Sequence, residues 1–129
     1  IAHKPLHAAD LKTAPFGIDR IEWPASPADL CRLMGYFYKK DDKTALAVMA
    51  VNPGLHIPKD KFLYAGYKGG SQAGVLNMTW LLKTSGLVSK DQSAPDWYCL
   101  TGSWNNEKEN LDDKKFFELM QAAINAIGK

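Results

Sequence analysis

Cysteine is scarce in this sequence, which has two cysteines among 129 residues. Two cysteines cannot form the disulfide framework that stabilises many small secreted domains. We predict that Cys31 lies in a helix and Cys99 in a strand. Because thiols are among the side chains most often buried, we favour two separate buried thiols. A bridge between them stays open if the fold brings the two side chains together.

Long apolar runs and an excess of one charge are also missing. The 16 Lys and Arg residues nearly balance the 14 Asp and Glu residues, so the net charge of +2 does not indicate binding to nucleic acid or to an anionic membrane surface. No apolar run approaches the ~20 residues of a membrane span, and residues 1–5 do not resemble a signal peptide. Because the first residue is Ile1, we expect a processed chain or part of a longer protein. Residues 1–129 are expected to form one domain or part of one.

The sequence predicts no site for a metal ion or another cofactor. His3 and His7 are four residues apart with Asp10 nearby, but Pro5 disfavours the helix that would align them. There is no His-Glu-x-x-His motif and no Gly-x-x-x-x-Gly-Lys phosphate-binding loop. We interpret His56 as a loop residue rather than a catalytic base.

Capping residues and periodic apolar residues predict an α+β fold, in which an antiparallel meander packs against helices. Residues 1–25 are expected to be irregular. Ser26 can cap the first helix, with Pro27 at its first position and Asp29 in its first turn. A second short helix is predicted after Asp42, within a helical region over residues 26–54.

The second half of the chain predicts three strands and a last helix. Strands are predicted over residues 62–68, 75–82 and 97–104, within a sheet over residues 62–104, and the last helix over residues 110–128. Residues 71–74 are predicted to connect the first two strands. Asn110 is predicted to cap the last helix.

The most informative segment follows the first predicted strand. That strand is rich in aromatic residues and is expected to end at Lys68, which is followed by Gly69, Gly70 and Ser71. A lysine there would place a cation at the mouth of the sheet, and glycines allow another molecule to approach the backbone closely. The pattern favours binding of an anionic substrate that carries a carbonyl group. Taken alone, the four residues are more typical of a bulged strand end or a turn.

The order of these elements around Tyr67-Lys68-Gly69-Gly70-Ser71 resembles the C-terminal half of the serine β-lactamase and penicillin-binding protein (DD-peptidase) superfamily. The matching elements are the helix that begins Ser-Pro-Ala-Asp-Leu-Cys-Arg-Leu-Met, the lysine strand, the two strands after it and the last helix. The resemblance covers roughly residues 26–129. It implies acyl transfer through a serine ester, on a β-lactam, a cell-wall peptide or another amide or ester.

The resemblance also implies roles for individual residues. Lys68 would supply positive charge near the nucleophile and the substrate carboxylate. Ser71 would donate its backbone N–H to the oxyanion and its hydroxyl to the substrate. Gly69 and Gly70 would line the substrate path, with Gly70 keeping the wall narrow. Gly69 stands where the family usually has Thr or Ser, so a hydroxyl that helps to hold the substrate carboxylate is missing.

The nucleophile of that family is absent from these residues. None of the serines is followed three positions later by lysine, as a Ser-x-x-Lys motif requires. Ser103-Trp104-Asn105 matches a Ser-x-Asn motif, but it follows the lysine strand, where the family does not place it, and we interpret it as a strand end. We therefore expect a partner, either an N-terminal segment or a separate chain, that carries Ser-x-x-Lys.

Two hypotheses follow from the sequence. The first is part of a β-lactamase-like serine hydrolase, and the resemblance implies that it is periplasmic or secreted. The second is a binding module without catalysis, or a catalytically dead relative, that holds an anionic ligand beside Lys68. Neither hypothesis requires a cofactor or nucleic acid.

Overall fold

The computed structural model describes residues 15, 17, 18, 20, 24–85 and 96–127. Its elements, in chain order, are α1 (Pro27–Lys40), α2 (Lys43–Met49), β1 (Phe62–Gln72), β2 (Val75–Thr84), β3 (Trp97–Asn105) and α3 (Asp113–Ala126). The predicted α+β class is confirmed, with a three-stranded antiparallel sheet in the order β1-β2-β3 and three helices. Within the described part of the chain, no helix is both long enough and apolar enough to cross a bilayer.

The sequence prediction ended β1 too early. The strand continues past Lys68 to Gln72, and only Ala73 and Gly74 form the turn to β2. Gly74 has a φ of 74°, which a residue without Cβ adopts at little cost. Gly69 and Gly70, which lie beyond the predicted end, belong to the strand because β2 supplies a continuous ladder opposite them.

One face of the sheet carries the core. The inward side chains of β2 alternate along the strand and pack against α3, and the cluster includes Leu76, Met78, Trp80, Leu82, Phe116, Met120 and Ile124. Trp80 is fully buried, and its indole N–H donates to the Pro53 carbonyl oxygen (2.8 Å). This bond fixes the segment between α2 and β1 against the sheet, since a buried indole N–H needs a partner.

The opposite face of the sheet is covered in part by α1. Cys31 of α1 and Cys99 of β3 form a disulfide, so the expectation of two separate thiols is wrong. At the far end of α1, the ring of Tyr38 stacks on Trp97 with centroids 4.6 Å apart. Met34 is the one residue of α1 that is buried, so the bridge supplies much of the attachment of this helix to the sheet.

The helix starts agree with the sequence in two cases out of three. Ser26 forms a capping box with Asp29, and Asp42 caps α2. The prediction that Asn110 caps the last helix is wrong, because Asp112 is the cap and its carboxylate accepts from Lys115 N–H (3.0 Å). Leu111, which precedes the cap, packs against the core and stays outside the helix.

Candidate functional site at the edge of β1

Lys68 lies inside β1 rather than at its end, four residues before Gln72. Its side chain lies on the α1 face of the sheet. Lys68 is directly opposite Thr79, which is opposite Thr101, and Thr101 lies two residues from Cys99 on the face that is bonded to α1. Gly70 lies on the same face, opposite Asn77. The lysine is therefore held by a paired strand and does not sit in a turn at the mouth of the sheet.

The Lys68 side chain is exposed, and its ammonium group donates to the carbonyl oxygen of the adjacent Gly69. Within the described ranges, no carboxylate forms an ion pair with Lys68. A cation without a paired carboxylate is available to an anionic group of a ligand, in contrast to Arg32 and Lys43, which pair with acidic neighbours.

The main chain of β1 presents hydrogen-bonding groups along the edge that faces away from β2. Gln72 and Val75 flank the turn, so this pair exchanges main-chain hydrogen bonds. Bonded and non-bonded pairs alternate along an antiparallel ladder. Ser71 and Gly69 therefore direct their N–H and C=O groups away from β2. In the described part of the chain, no strand pairs with that side of β1.

The expected site residues thus lie in one short stretch of β1, but their functional groups point in two different directions. The side chain of Lys68 rises from the α1 face, where Gly70 leaves space, and a Cβ at Gly70 would meet no atom within 4 Å. The N–H of Ser71 points along the sheet plane toward the edge that faces away from β2. Gly69 is more constrained than expected, because a Cβ there would collide with the Tyr67 ring.

Two tyrosines near the site are partly withdrawn from water. Burial raises the pKa of Tyr64 and of Tyr67 above the ordinary value of 10.0. The hydroxyl of Tyr64 donates to the Leu46 carbonyl oxygen (2.8 Å), which attaches α2 to β1. Both phenols therefore stay protonated at neutral pH and serve packing.

A polar ladder crosses β2 and β3 on the α1 face. The Asn77 side-chain amide donates to the Ser103 hydroxyl (2.6 Å) and to the Gly102 carbonyl oxygen (3.1 Å). The Thr79 hydroxyl lies 2.8 Å from that of Thr101. These side chains were not predicted as site residues. The signal was present, since Asn77 and Thr79 interrupt the apolar residues of 75–82, but alternation alone is also typical of a half-exposed strand.

The polar ladder borders a cavity of about 780 Å³ between the end of the β1–β2 hairpin and the start of α1, which we name the hairpin cavity. Its described lining includes the polar residues Ser26, Asp29, Ser71, Gln72, Asn77, Ser103 and Asn105, together with Gly70. Ser71 is directly opposite Leu76 of the core, so its hydroxyl lies on the other face of the sheet from Lys68, and its main chain borders the cavity. Gly70 and Ser71 thus belong both to the β1 edge and to this cavity.

Of the other candidates, Ser103 and Asn105 line the hairpin cavity, and His56 lies away from it. His56 is exposed in the segment before β1, and its main-chain groups bond to the Gln121 side chain of α3. Ser103, Trp104 and Asn105 are the last residues of β3, as the strand-end interpretation expects. The pair His3 and His7 lies outside the described residues. No cluster of three metal-ligating side chains occurs in the part of the chain that the structure describes.

Comparison with known proteins adds no family. No protein-family model, no curated protein and no solved structure matches this chain.

Proposed function

We propose that this chain forms the lysine-bearing wall of an acyl-transfer site in a serine hydrolase similar to the β-lactamases and penicillin-binding proteins. The observation that carries the proposal is the arrangement on β1. The Lys68 ammonium, which has no ion-pair partner among the described residues, and the outward N–H of Ser71 lie on the same strand, β1. The substrate class is an amide or ester with a nearby anionic group, such as a β-lactam or a cell-wall peptide.

The edge of β1 supports binding of the acyl part of such a substrate. An extended chain beside β1 can accept from and donate to the outward main-chain groups of Gly69 and Ser71, as in strand addition to a sheet edge. Lys68 would attract the substrate carboxylate, and the absence of a side chain at Gly70 leaves the approach open.

The chemistry would proceed in two steps. A serine oxygen attacks the substrate carbonyl carbon, the amide or ester bond breaks, and the leaving group takes a proton from the base that activated the serine. Water then attacks the ester and releases the acid and the serine. The Ser71 N–H would stabilise the negative oxygen that forms in each step. The serine and its base come from a Ser-x-x-Lys segment outside these 129 residues.

The alternative is a binding module or a catalytically dead relative. The observation that favours it is the lack of any serine followed three residues later by lysine in these residues. The same cation and outward N–H groups would then hold an anionic ligand without forming a covalent intermediate.

Covalent labelling of the native protein separates the two. The protein is treated with a fluorescent penicillin and with a fluorescent fluorophosphonate, its intact mass is measured under denaturing conditions, and the labelled peptide is identified by mass spectrometry. We expect the label on a Ser-x-x-Lys serine outside these residues. Lys68→Ala should slow labelling by about 100-fold or more, because it removes charge stabilisation in the transition state.

Lys59→Ala is the matched control, since Lys59 is an exposed lysine in the segment before β1. It should label at the wild-type rate. Equal labelling of both variants would overturn the role of Lys68. A native protein that contains this chain alone and takes no label would overturn the hydrolase and favour the binding module.

A further inference from the structure

We propose that the hairpin cavity binds an uncharged, hydrogen-bonding group of the substrate, with a primary carboxamide as the best match. This inference rests on the proposed function, because Gly70 and Ser71 line both the cavity and the acyl path along β1. A substrate whose carbonyl lies at Ser71 can therefore place a side group in the cavity.

The floor of the cavity is fixed before any ligand binds. The Asn77 amide group is held by two acceptors, Ser103 Oγ and the Gly102 carbonyl oxygen. Its Oδ1 atom accepts from the Thr79 hydroxyl (3.2 Å), and Thr79 is buried. Because the Ser103 hydroxyl accepts from Asn77, its own hydrogen is directed elsewhere and is available to a ligand. A preformed polar floor lowers the entropy that binding must overcome.

Two further amides at the sides of the cavity have no hydrogen-bond partner among the described residues. Gln72 and Asn105 lie in one cross-strand row with Val75 between them. They are thus two strand spacings apart, about 10 Å. Their side chains make no hydrogen bond to other described residues. Each amide offers both donors and an acceptor, so the pair suits a ligand group that also both donates and accepts, as a carboxamide does.

The charges around the cavity disfavour an ionic ligand group. Asp29 is the one ionisable residue in the described lining, and its carboxylate already accepts from the Ser26 hydroxyl (2.7 Å) and from Arg32 (2.7 Å). An anion would meet this carboxylate with no cation in the described lining. A cation would have to compete with Arg32 for it. An uncharged polar group faces neither cost.

The cavity has room for a ligand group of this size. Pockets for small molecules have volumes of about 300–1,000 Å³, and the hairpin cavity is within that range. Apolar residues complete the described lining, among them Ile18, Leu30 and Val75. A short alkyl stem that ends in a carboxamide would place the stem against these residues and the amide between Gln72 and Asn105.

Three probes of equal length test the preference. The ¹⁵N-labelled protein is titrated with the N-acetyl methylamides of glutamine, glutamate and norleucine, and the side-chain amide signals of Gln72, Asn105 and Asn77 are followed by NMR. We expect saturable shifts of all three signals with the glutamine probe. The other two probes should bind at least about tenfold more weakly, since each lost hydrogen bond or unpaired charge weakens binding.

The variant Gln72→Ala/Asn105→Ala removes both exposed side chains and keeps the Asn77 signal as reporter. Its affinity for the glutamine probe should be lower than that of the wild type by a factor of about ten or more. Equal shifts with all three probes, no shift with the glutamine probe, or unchanged binding by the double variant would each overturn the proposal.

The variants of Lys68, Gln72 and Asn105 distinguish a failure of the carboxamide site from a failure of the proposed function. Lys68→Ala should bind the glutamine probe as the wild type does while losing covalent labelling. Gln72→Ala/Asn105→Ala should still react with a fluorophosphonate that has no side group. Loss of labelling in the wild type with intact probe shifts would therefore overturn the hydrolase alone, and the reverse pattern would overturn the carboxamide site alone.

Discussion

Cys31 of α1 and Cys99 of β3 are bonded to each other across a sequence separation of 68 residues. In the register of the sheet, Cys99 is directly opposite Leu81, one row beyond the polar ladder. The bridge therefore holds α1 at the boundary between the apolar and polar parts of this face. The start of the same helix lines the hairpin cavity, so the bridge also sets the position of one cavity wall.

Removal of the bridge is expected to cost about 4 kcal/mol of unfolding free energy, because a closed loop of this length restricts the unfolded chain. Urea unfolding of the oxidised protein and of Cys31→Ala/Cys99→Ala measures the difference. Reductant should destabilise the wild type by a similar amount and leave the double variant unchanged. Equal midpoints for the oxidised wild type and the variant would show that the bridge contributes nothing.

Gly70→Ala is expected to keep the stability of the protein and to impair labelling. A Cβ at this position meets no atom of the described residues within 4 Å, so there is room for it beside them. It would meet only a ligand that lies along β1, and labelling by the fluorescent penicillin should slow by about tenfold or more. Thermal unfolding of the same sample provides the control. Unchanged labelling would contradict a substrate path across Gly70.

Gly102→Ala, in contrast, should lower the stability of the protein. Its Cβ would lie 2.5 Å from the Met120 sulfur, in the layer between β3 and α3. Overpacking of this kind costs about 1–3 kcal/mol. Urea unfolding tests this against Gly35→Ala, for which the Cβ meets nothing within 4 Å and a helix gains about 0.5–1 kcal/mol. A Gly102→Ala protein as stable as the wild type would show that the Met120 side chain moves aside freely.

The cap of α1 predicts a measurable pH effect. The Ser26 hydroxyl and backbone N–H, and then Arg32, lower the pKa of Asp29 below its ordinary value of 3.8. Because the folded pKa is the lower one, the stabilisation by this carboxylate is present above pH 3.8 and is lost as the pH falls through the folded pKa. NMR titration of the Asp29 carboxyl should show this low pKa.

Two variants check its cause. Ser26→Ala should raise the pKa of Asp29 more than Arg32→Ala does, since the serine contacts are the larger cause. The reverse order would assign the effect to the arginine.

Local features of the fold could be predicted from the sequence, and features that depend on distant residues could not. The Ser26 cap of α1 depends on residues within one helical turn, so the local sequence was sufficient to predict it. The pairing of Cys31 with Cys99 depends on how α1 crosses the sheet, which no local pattern contains. Asn110 and Asp112 are both good caps, and the local pattern does not show that Leu111, between them, packs against the core outside the helix.

The candidate site shows the same division. The importance of Lys68 was inferred from its neighbours in sequence, but the direction of the Ser71 N–H follows from the pairing of β1 with β2. The polar ladder joins Asn77 to Ser103, which are 26 residues apart and meet only when β2 and β3 align. The hairpin cavity forms only where the start of α1 lies against the β1–β2 hairpin and the end of β3, so no single segment of the sequence could predict it.

The edge of β1 that no described strand pairs with has a consequence for the behaviour of the protein in solution. It is a strand of 11 residues, and such an edge is a template for pairing with a second copy. Lys68, near the middle of that edge, would place like charges close together if two copies paired around it, which opposes self-association. Lys68→Ala is therefore expected to form dimers or larger particles at high concentration, and its solutions should be studied dilute. One ammonium group would then both attract an anionic substrate and keep neighbouring molecules apart.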